Sequence, residues 1–343
     1  MRPETDTLPF LVKAAVPAHW LQALVRLGLV WFALILAFRG DWAAMFDQWW
    51  NSSTYNHILL VPVIIAGLLW QRNEAVLGLP PKPSPLGLVA TAMAAFVWVL
   101  GAFSGFDLLR QAGVVGLLPA TALLLLGPRV FAAVLFPMAY FAFLVPFGDE
   151  LVPPLQMITA KITIALVRLT EVPAVIDGVF IDTPAGLFEV AEACSGVKFL
   201  IAMVALGVLV ANQCFISWRR RVLFLALCIV APILANGVRA WATVFAAQYV
   251  GAERAAGFDH IVYGWIFFAL VIAAILALSW RYFDRAVDDP LVDATRLAQS
   301  RVLDGLERAR FPLSGAMVGG ALILAVAGGW AQAADRLAAP LPQ

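Results

Sequence analysis

Three side chains that suit acyl-transfer chemistry lie at the start of long apolar runs or within one: Cys194, Arg239 and His260. Ionisable groups are rare at membrane-spanning segments, and each one found there is a candidate functional residue. A cysteine can act as a nucleophile, a histidine as a general acid and base, and an arginine as the donor that stabilises an oxyanion. Together, the three residue types indicate covalent catalysis by a thiol.

The residues around Cys194 predict that its thiolate is stabilised. Cys194 comes at the start of a predicted helix, and the amino terminus of a helix attracts negative charge. Lys198 follows four residues later on the same helix face, and its ammonium group favours the thiolate as well. We take Glu192, Ser195 and Asn236 as supporting residues of the candidate site. No spacing of His, Cys and Asp resembles a zinc site, so we predict neither a metal ion nor another cofactor.

Each candidate also has a purely structural interpretation, which the sequence leaves open. Cys194 can be a small buried apolar residue, and Arg239 can extend from the end of a span toward water. His260 and His57 can be polar residues of the membrane interface, and Glu192 can cap a helix. The other two cysteines are expected to be small buried residues without a catalytic role: Cys214 and Cys228.

The composition indicates an integral membrane protein. Of the 343 residues, 62% are hydrophobic and 13% are charged, and the formal net charge is +1. In soluble domains about 25% of the residues are charged. A net charge near zero argues against nucleic-acid binding, and the high hydrophobicity argues against disorder. We therefore predict an all-α polytopic bundle in a lipid bilayer, as a single domain over residues 1–343.

Apolar runs that can cross about 30 Å of hydrocarbon occur nine times. They are residues 21–38, 55–70, 86–103, 106–126, 130–147, 197–213, 222–245, 260–279 and 315–334. With the amino terminus inside, most of the 23 Lys and Arg residues fall in inner segments, as the positive-inside rule requires. This topology places residues 148–193 and the carboxy terminus outside, and residues 281–314 in an inner loop.

The predicted topology brings the three candidate residues to one membrane level. The seventh span begins beside Arg221 on the inner side, and Arg239 lies roughly 27 Å further along at 1.5 Å per residue. Cys194 and His260 begin the sixth and eighth spans at the same outer interface. We therefore expect the Cys194 sulfur to lie within about 6 Å of His260 or Arg239.

Two outer segments are predicted not to cross the membrane. Residues 151–171 have apolar residues at three- and four-residue spacing, which indicates an amphipathic helix on the membrane surface. The residues of this stripe are Leu155, Ile158, Ile162, Ala165 and Leu169. Residues 175–191 contain the turn sequence TPAG at 183–186 between β-rich flanks, which predicts a hairpin.

The blocks around these residues resemble the exosortase/archaeosortase family of membrane-embedded cysteine peptidases and transpeptidases. The matching blocks are YNHILLVP at 55–62, EACSG at 192–196, NGVR at 236–239 and HIVYG at 260–264. The resemblance runs from about residue 50 to residue 283. Within the family, the chain is most similar to the exosortase A group. We expect it to lack the additional periplasmic domain that many of those chains carry, because the sequence ends at Gln343.

The resemblance implies sorting of exported, membrane-anchored proteins whose carboxy-terminal tail has a Pro-Glu-Pro motif, a transmembrane helix and a basic cluster. It assigns Cys194 as the nucleophile that forms an acyl thioester, Arg239 as the family arginine and His260 as the third catalytic residue. The family arginine is described as a proton donor, but a guanidinium stays protonated, so we prefer an oxyanion stabiliser. The implied setting is the bacterial inner membrane, with a periplasmic active site and a link to exopolysaccharide export.

Two functions of other classes remain open. A secondary transporter would bind an anionic substrate at Arg239. Transporter sites usually lie near the bilayer midplane between repeats, whereas no repeat is visible in this sequence. A non-catalytic assembly factor for polysaccharide export would leave the Cys, Arg and His at one membrane level without a role.

Overall fold

The computed structural model describes residues 16–252, 264–286, 289–309 and 311–338. Helices account for most of these residues, and three short strands form one small sheet. This confirms the predicted all-α membrane class. The chain divides into two compact units, the first comprising Met1–Phe46, Leu60–Val145 and Pro290–Gln343 and the second Asp47–Leu59 and Pro146–Asp289. The single domain over residues 1–343 stays a prediction.

The helices and strands follow one another along the chain with short connections. The helices are α1 (Ala18–Ala37), α2 (Arg39–Asn51), α3 (Val61–Trp70), α4 (Asn73–Leu77), α5 (Pro85–Ser104), α6 (Asp107–Ala133), α7 (Leu135–Tyr140), α8 (Val152–Leu169), α9 (Val197–Cys214), α10 (Trp218–Val250), α11 (Gly264–Ser279), α12 (Ala294–Ala298), α13 (Arg301–Glu307) and α14 (Leu313–Ala338). The strands are β1 (Val175–Asp177), β2 (Phe180–Thr183) and β3 (Gly186–Glu189).

Helices α5 and α6 form the centre of the first unit by packing their backbones closely together. A β-carbon placed on Gly87 would lie 2.1 Å from the Cα atom of Leu124, so a side chain would push the helices apart. Trp98 of α5 donates to Asp41 Oδ2 at 3.1 Å, and Arg110 of α6 pairs with Asp41 Oδ1 at 2.7 Å. The buried Asp41 carboxylate therefore joins α2 to the α5/α6 pair.

Among the described residues, seven helices are long and apolar enough to cross a membrane. The number rises to eight if the pair Arg39–Asn51 and Asn56–Trp70, bent by 111°, is counted as one span. Two shorter apolar helices, Leu135–Leu144 and Ile266–Tyr282, accompany them. The structure confirms a polytopic helical protein, with fewer long continuous spans than the nine predicted.

The predicted span at residues 130–147 is wrong as a single helix. Helix α6 has a kink at Gly127, before this stretch, and ends at Ala133, where Val134 leaves helical geometry and Pro137 follows three residues later. The next helix, α7, has six residues and leads into a 3-10 turn. Proline lacks the N–H that would continue a helical ladder, so the apolar composition of this stretch does not yield a continuous helix. The predicted span at 260–279 lies partly outside the described residues and is seen as α11.

Helix α8 confirms the predicted helix at residues 151–171 but buries a different face. Its buried residues are Leu155, Thr159, Ala160, Thr163 and Val167. Ile158 and Leu169 of the predicted apolar stripe are 40% and 77% exposed, so much of that stripe faces away from the protein. Counted from Asp149, this helix has 21 residues and a mean hydropathy of 1.3, and it is one of the seven candidate spans. Its position on the outer surface stays a prediction.

The predicted hairpin is present and is extended by one more strand. β2 pairs antiparallel with β3, with Thr183 opposite Gly186 across the predicted turn. β1 pairs antiparallel with the other edge of β2, with Ile176 opposite Ile181. The strands thus form a three-stranded meander.

The predicted inner loop at residues 281–314 contains the two short helices α12 and α13. Arg129 of α6 donates to the carbonyl of Ala298 at 2.8 Å and pairs with Asp304 at 2.5 Å and Glu307 at 3.3 Å. The loop is therefore attached to the end of α6 by charged contacts.

Candidate active site

Cys194 lies in a short loop between the sheet and helix α9. It ends a 3-10 turn, and its N–H donates to the carbonyl of Ala191 at 2.8 Å. Gly196 follows with a left-handed φ of 81°, and α9 begins only at Val197. The prediction that Cys194 starts the helix is therefore wrong by three residues, because Gly196 turns the chain first. The helix dipole acts on the thiol from a greater distance than predicted, which weakens its contribution.

Asn236 of α10 holds the Cys194 loop in place. Its side-chain amide donates to the carbonyl oxygen of Cys194 at 2.7 Å and to Thr159 Oγ1 at 3.1 Å. Asn236 is only 5% exposed, so both bonds form away from bulk solvent. A β-carbon placed on Gly196 would lie 2.8 Å from Asn236 Cγ. The left-handed glycine and the buried amide together fix the main chain of Cys194 against α10.

Thr159 is a member of this cluster that the sequence analysis missed. It is fully buried on α8, and Thr163 donates to its carbonyl at 2.8 Å. Thr163 Oγ1 also lies 3.5 Å from the carbonyl of Gly237 on α10. Threonines four residues apart share a helix face, and this spacing is the signal that could have identified them. The apolar pair Ile158 and Ile162, one position away, gives the stronger hydropathy signal and conceals it.

Arg239 follows Asn236 by three residues, which places both on one side of α10. The guanidinium carbon lies 5.8 Å from the centroid of the Phe199 ring on α9. That ring stacks on Phe268 of α11, with the two centroids 4.7 Å apart. A β-carbon placed on Gly264 would lie 3.8 Å from Arg239 Nη1. The guanidinium therefore lies against the first turns of both α9 and α11.

These contacts connect two of the three predicted catalytic residues through one helix. Asn236 binds the main chain of Cys194, and Arg239 lies about one turn further along α10. His260 lies outside the described residues, four positions before Gly264. Its contacts stay a prediction, as does the expected distance from the Cys194 sulfur to Arg239 or His260.

The other supporting residues have different environments. Ser195 is buried, and its hydroxyl lies 3.5 Å from the N–H of Val197, which places it in the framework of the loop. Glu192 is exposed, and the Lys198 ammonium lies 5.1 Å from the centroid of the Phe199 ring. The effect of Lys198 on the thiolate stays a prediction.

The small sheet packs against the Cys194 loop. Ala160 of α8, Ile181 of β2 and Val190 form a buried apolar cluster, and Cys194, which is partly exposed, packs against it. Gln156 of α8 donates from Nε2 to the carbonyl of Val190 at 2.7 Å. Helix α8 and the sheet thus position the chain that enters the cysteine loop.

The early block at residues 55–62 contributes to the same compact unit through Tyr55. This side chain is 3% exposed, and its hydroxyl donates to Asp149 Oδ1 at 2.7 Å. The neighbouring Gly148 packs against α9, where a β-carbon would lie 2.2 Å from Ile201 Cδ1. Tyr55 therefore anchors the loop that supports the first half of α9.

The two residues after Tyr55 bind neighbouring carbonyl groups. Asn56 donates from Nδ2 to the carbonyls of Trp49 at 2.8 Å and Trp50 at 3.0 Å, which are at the end of α2. His57 Nδ1 lies 3.0 Å from the carbonyl of Thr54. Because a carbonyl only accepts, Nδ1 is the nitrogen that donates. This contact fits the structural interpretation of His57.

The other two cysteines differ in their burial. Cys228 is fully buried in an apolar cluster with Met203 and Phe224, which confirms its predicted burial, and the absence of a catalytic role stays a prediction. The predicted burial of Cys214 is wrong, because this residue is partly exposed at the end of α9, where its carbonyl accepts from the N–H of Asp284 at 3.2 Å. Within the described ranges, no group of three or more His, Cys, Asp or Glu side chains could hold a metal ion.

The protein family described as transmembrane exosortase matches residues 49–277, which is more than half of the chain. This range includes the cysteine loop, the buried Asn236 and Arg239, as well as His260. No curated protein and no solved structure gives a significant match. The placement within the exosortase A group stays a prediction.

Proposed function

Because the chain belongs to the transmembrane exosortase family, we propose that it is a multi-pass membrane cysteine peptidase or transpeptidase. Its substrates are exported, membrane-anchored proteins that end in a sorting tail of the Pro-Glu-Pro type. The observation that carries the proposal is the 2.7 Å hydrogen bond from Asn236 to the carbonyl of Cys194. This bond attaches the cysteine loop to α10, the helix that carries Arg239. The same helix therefore positions both the loop of the thiol and the guanidinium group.

The first half-reaction is attack of the Cys194 sulfur on the scissile carbonyl carbon. The thiol proton passes to the imidazole of His260, the sulfur–carbon bond forms and the carbonyl oxygen becomes an oxyanion. Arg239 stabilises this oxyanion with its fork of N–H donors. When the carbon–nitrogen bond breaks, His260 gives the proton to the leaving amine. The product is an acyl thioester on Cys194.

The second half-reaction releases the acyl group. Water or an acceptor amine attacks the thioester carbonyl while His260 removes a proton from the attacking group. The sulfur of Cys194 leaves as a thiolate and regains a proton from His260. Water gives hydrolysis and an amine gives transfer, so one site serves both outcomes.

The surroundings of Arg239 support its role as an oxyanion donor. The face of an aromatic ring attracts a cation electrostatically, and Phe199 provides such a face at 5.8 Å. A ring contact orients the guanidinium without neutralising its charge. An oriented, charged donor is what a developing oxyanion requires.

We place the reaction in the bacterial inner membrane, at the periplasmic interface, in association with exopolysaccharide-linked protein export. The apolar exterior of α8 and α10 supports lateral approach of the substrate helix through lipid. On these helices Ile158, Leu234 and Val238 are 40%, 52% and 43% exposed. Substrate would then reach Cys194 without leaving the bilayer.

The proposal is tested by cleavage of a tail-bearing substrate in cells that express single variants. Cys194→Ala should abolish cleavage because no thioester can form, whereas Cys214→Ala and Cys228→Ala should cleave almost normally. Membrane levels of each variant, measured by immunoblot, control for folding. Cleavage by Cys194→Ala at the wild-type rate would contradict a thiol mechanism and favour a transporter or assembly factor.

A further inference from the structure

The first compact unit contains a cavity of about 370 Å³ near the ends of several helices. Helices α1, α5 and α14 begin at this end of the unit, and α6 comes to it from the opposite direction. Its lining includes the polar residues His19, Gln22 and Arg26 of α1 and the apolar residues Leu125 of α6 and Leu313 of α14. The cavity therefore has the chemistry of an amphiphile site, with a basic side and an apolar side.

A rigid loop between α4 and α5 completes the cavity. Its three prolines line the cavity: Pro80, Pro81 and Pro83. Trp20 of α1 donates to the carbonyl of Leu79 at 3.0 Å, and the N–H of Lys82 donates to the carbonyl of Leu126 at 3.1 Å. Because proline fixes φ and both sides of the loop are hydrogen-bonded, the wall is formed before any ligand binds.

Charged side chains of the loop between α4 and α5, of α6 and of α13 form a cluster in the same unit. Arg129 pairs with Asp304 and Glu307, and Lys82 pairs with Glu307 at 3.6 Å. In this cluster two cations face two carboxylates, so the charges balance. Both carboxylates are thus engaged by Arg129 and Lys82, and neither forms a salt bridge with Arg26.

Arg26 places a positive charge on a mostly apolar helix, on the same side as the polar residues His19 and Gln22. It lies eight residues after the first residue of α1, which is about 12 Å along the helix axis. Its guanidinium contacts Gln22 Oε1 at 3.5 Å, and in the described part of the chain no acidic side chain forms a salt bridge with it. Arg26 is exposed, so its guanidinium is accessible to an anion, and the phosphate of a lipid head group is such an anion at the membrane interface.

We propose that this cavity binds the phosphate of an anionic phospholipid. Arg26 supplies the charge, Gln22 and His19 supply further polar contacts, and an acyl chain lies along Leu125 and Leu313. The sequence predicts that this end of the protein faces the cytoplasm. The anionic lipids of the cytoplasmic leaflet attract basic side chains such as Arg26. A free phosphate ion carries the same kind of negative charge, but it has no acyl chain that could pack against Leu125 and Leu313.

The test uses the full-length protein in detergent and native mass spectrometry with added phosphatidylglycerol or phosphatidylcholine of equal chain length. We expect preferential binding of phosphatidylglycerol. Arg26→Gln should weaken it about fivefold, the effect of one basic residue near a charged lipid, and Arg26→Lys should retain most of it. Arg39→Gln is the matched control, because Arg39 carries the same charge and is exposed like Arg26, but it lies beyond the other end of α1 and does not line the cavity.

Equal binding of the two lipids by the wild-type protein would overturn the proposal without recourse to any variant. So would an equal loss of binding in Arg26→Gln and Arg39→Gln. Displacement of phosphatidylglycerol by inorganic phosphate at the same concentration would assign the site to a free anion instead. The assay contains no sorting substrate, so its result does not depend on the proposed peptidase activity.

Discussion

The buried amide of Asn236 donates a 2.7 Å hydrogen bond to the carbonyl oxygen of Cys194, which is 42 residues earlier in the chain. The bond is made by the main chain of the cysteine and not by its sulfur. Because the second amide proton is donated to Thr159, the same side chain joins three helical segments at the cysteine loop. Asn236 is therefore a positioning residue in the proposed mechanism.

Thr159→Val should weaken the cysteine loop because it removes the acceptor of one Asn236 proton in a buried site. Leaving a buried donor unpaired costs about 1 to 3 kcal/mol, so the thermal unfolding midpoint in detergent should fall by several degrees. Thr163→Val is the matched control, since Thr163 lies one turn away on α8 and makes no hydrogen bond to Asn236. Equal effects of the two variants would remove Thr159 from the candidate site.

Gly196→Ala should be more harmful than an alanine at another left-handed glycine. The left-handed conformation alone costs roughly 1–2 kcal/mol for a residue with a β-carbon. At Gly196 that carbon would also lie 2.8 Å from Asn236 Cγ, whereas Gly105, with a φ of 68°, has open space around it. Unfolding midpoints and substrate cleavage should both fall further in Gly196→Ala than in Gly105→Ala. If the two variants lose the same stability, the contact with Asn236 is not a constraint.

Tyr55→Phe should destabilise the second unit by removing the hydroxyl that binds Asp149. A hydrogen bond to a charged group contributes about 1.5 to 3 kcal/mol, and because Asp149 is exposed to solvent we expect a loss near or below the lower end of that range. Tyr249→Phe is the control, because Tyr249 is 76% exposed. A double-mutant cycle with Asp149→Asn measures the coupling, and additive losses would show that the 2.7 Å contact contributes no stability of its own.

Arg239→Lys should lose most of the cleavage activity while the protein stays folded. An ammonium group carries the same charge but cannot present two parallel N–H donors to an oxyanion, and a loss of about a hundredfold or more is expected for such a donor. The decrease should appear in the rate of cleavage at saturating substrate, because the oxyanion exists only after attack. Wild-type activity in Arg239→Lys would favour an arginine that merely extends toward water.

Asp284 should make stability depend on pH at the connection between α9 and α10. Hydrogen bonds from the N–H groups of Ile216 at 2.7 Å and Ser217 at 3.2 Å lower the pKa of Asp284, and Arg220 contributes in the same direction. A lowered pKa means that the stabilisation is present above the unfolded value of about 4 and is lost as the pH falls through the folded value. Asp284→Asn should therefore lower the unfolding midpoint by a few degrees at pH 7. The difference from wild type should shrink below about pH 4; a difference that stays constant with pH would exclude this origin.

The sequence by itself determined the protein class, the candidate blocks and several local elements. A composition that is 62% hydrophobic indicates an integral membrane protein and argues against a soluble fold. The turn residues at 183–186 are sufficient to predict a hairpin. The family assigned from the blocks at 192–196 and 236–239 is confirmed by the match over residues 49–277. Such features depend on residue types that lie close together in the chain, so no knowledge of packing was needed.

Only the tertiary structure decided which face of α8 is buried and what holds Cys194. In a lipid bilayer an apolar residue is as stable facing outward as facing inward, so hydropathy does not separate the two faces of a helix. Threonine can be buried at low cost because its hydroxyl binds a carbonyl of its own helix, as Thr163 does with the carbonyl of Thr159 at 2.8 Å. The bond between Asn236 and Cys194 likewise depends on the close packing of α8 and α10 at Gly237, where a β-carbon would lie 2.5 Å from Ile162 Cγ2. That approach is a property of two helices brought together by the fold, and no local pattern in either one encodes it.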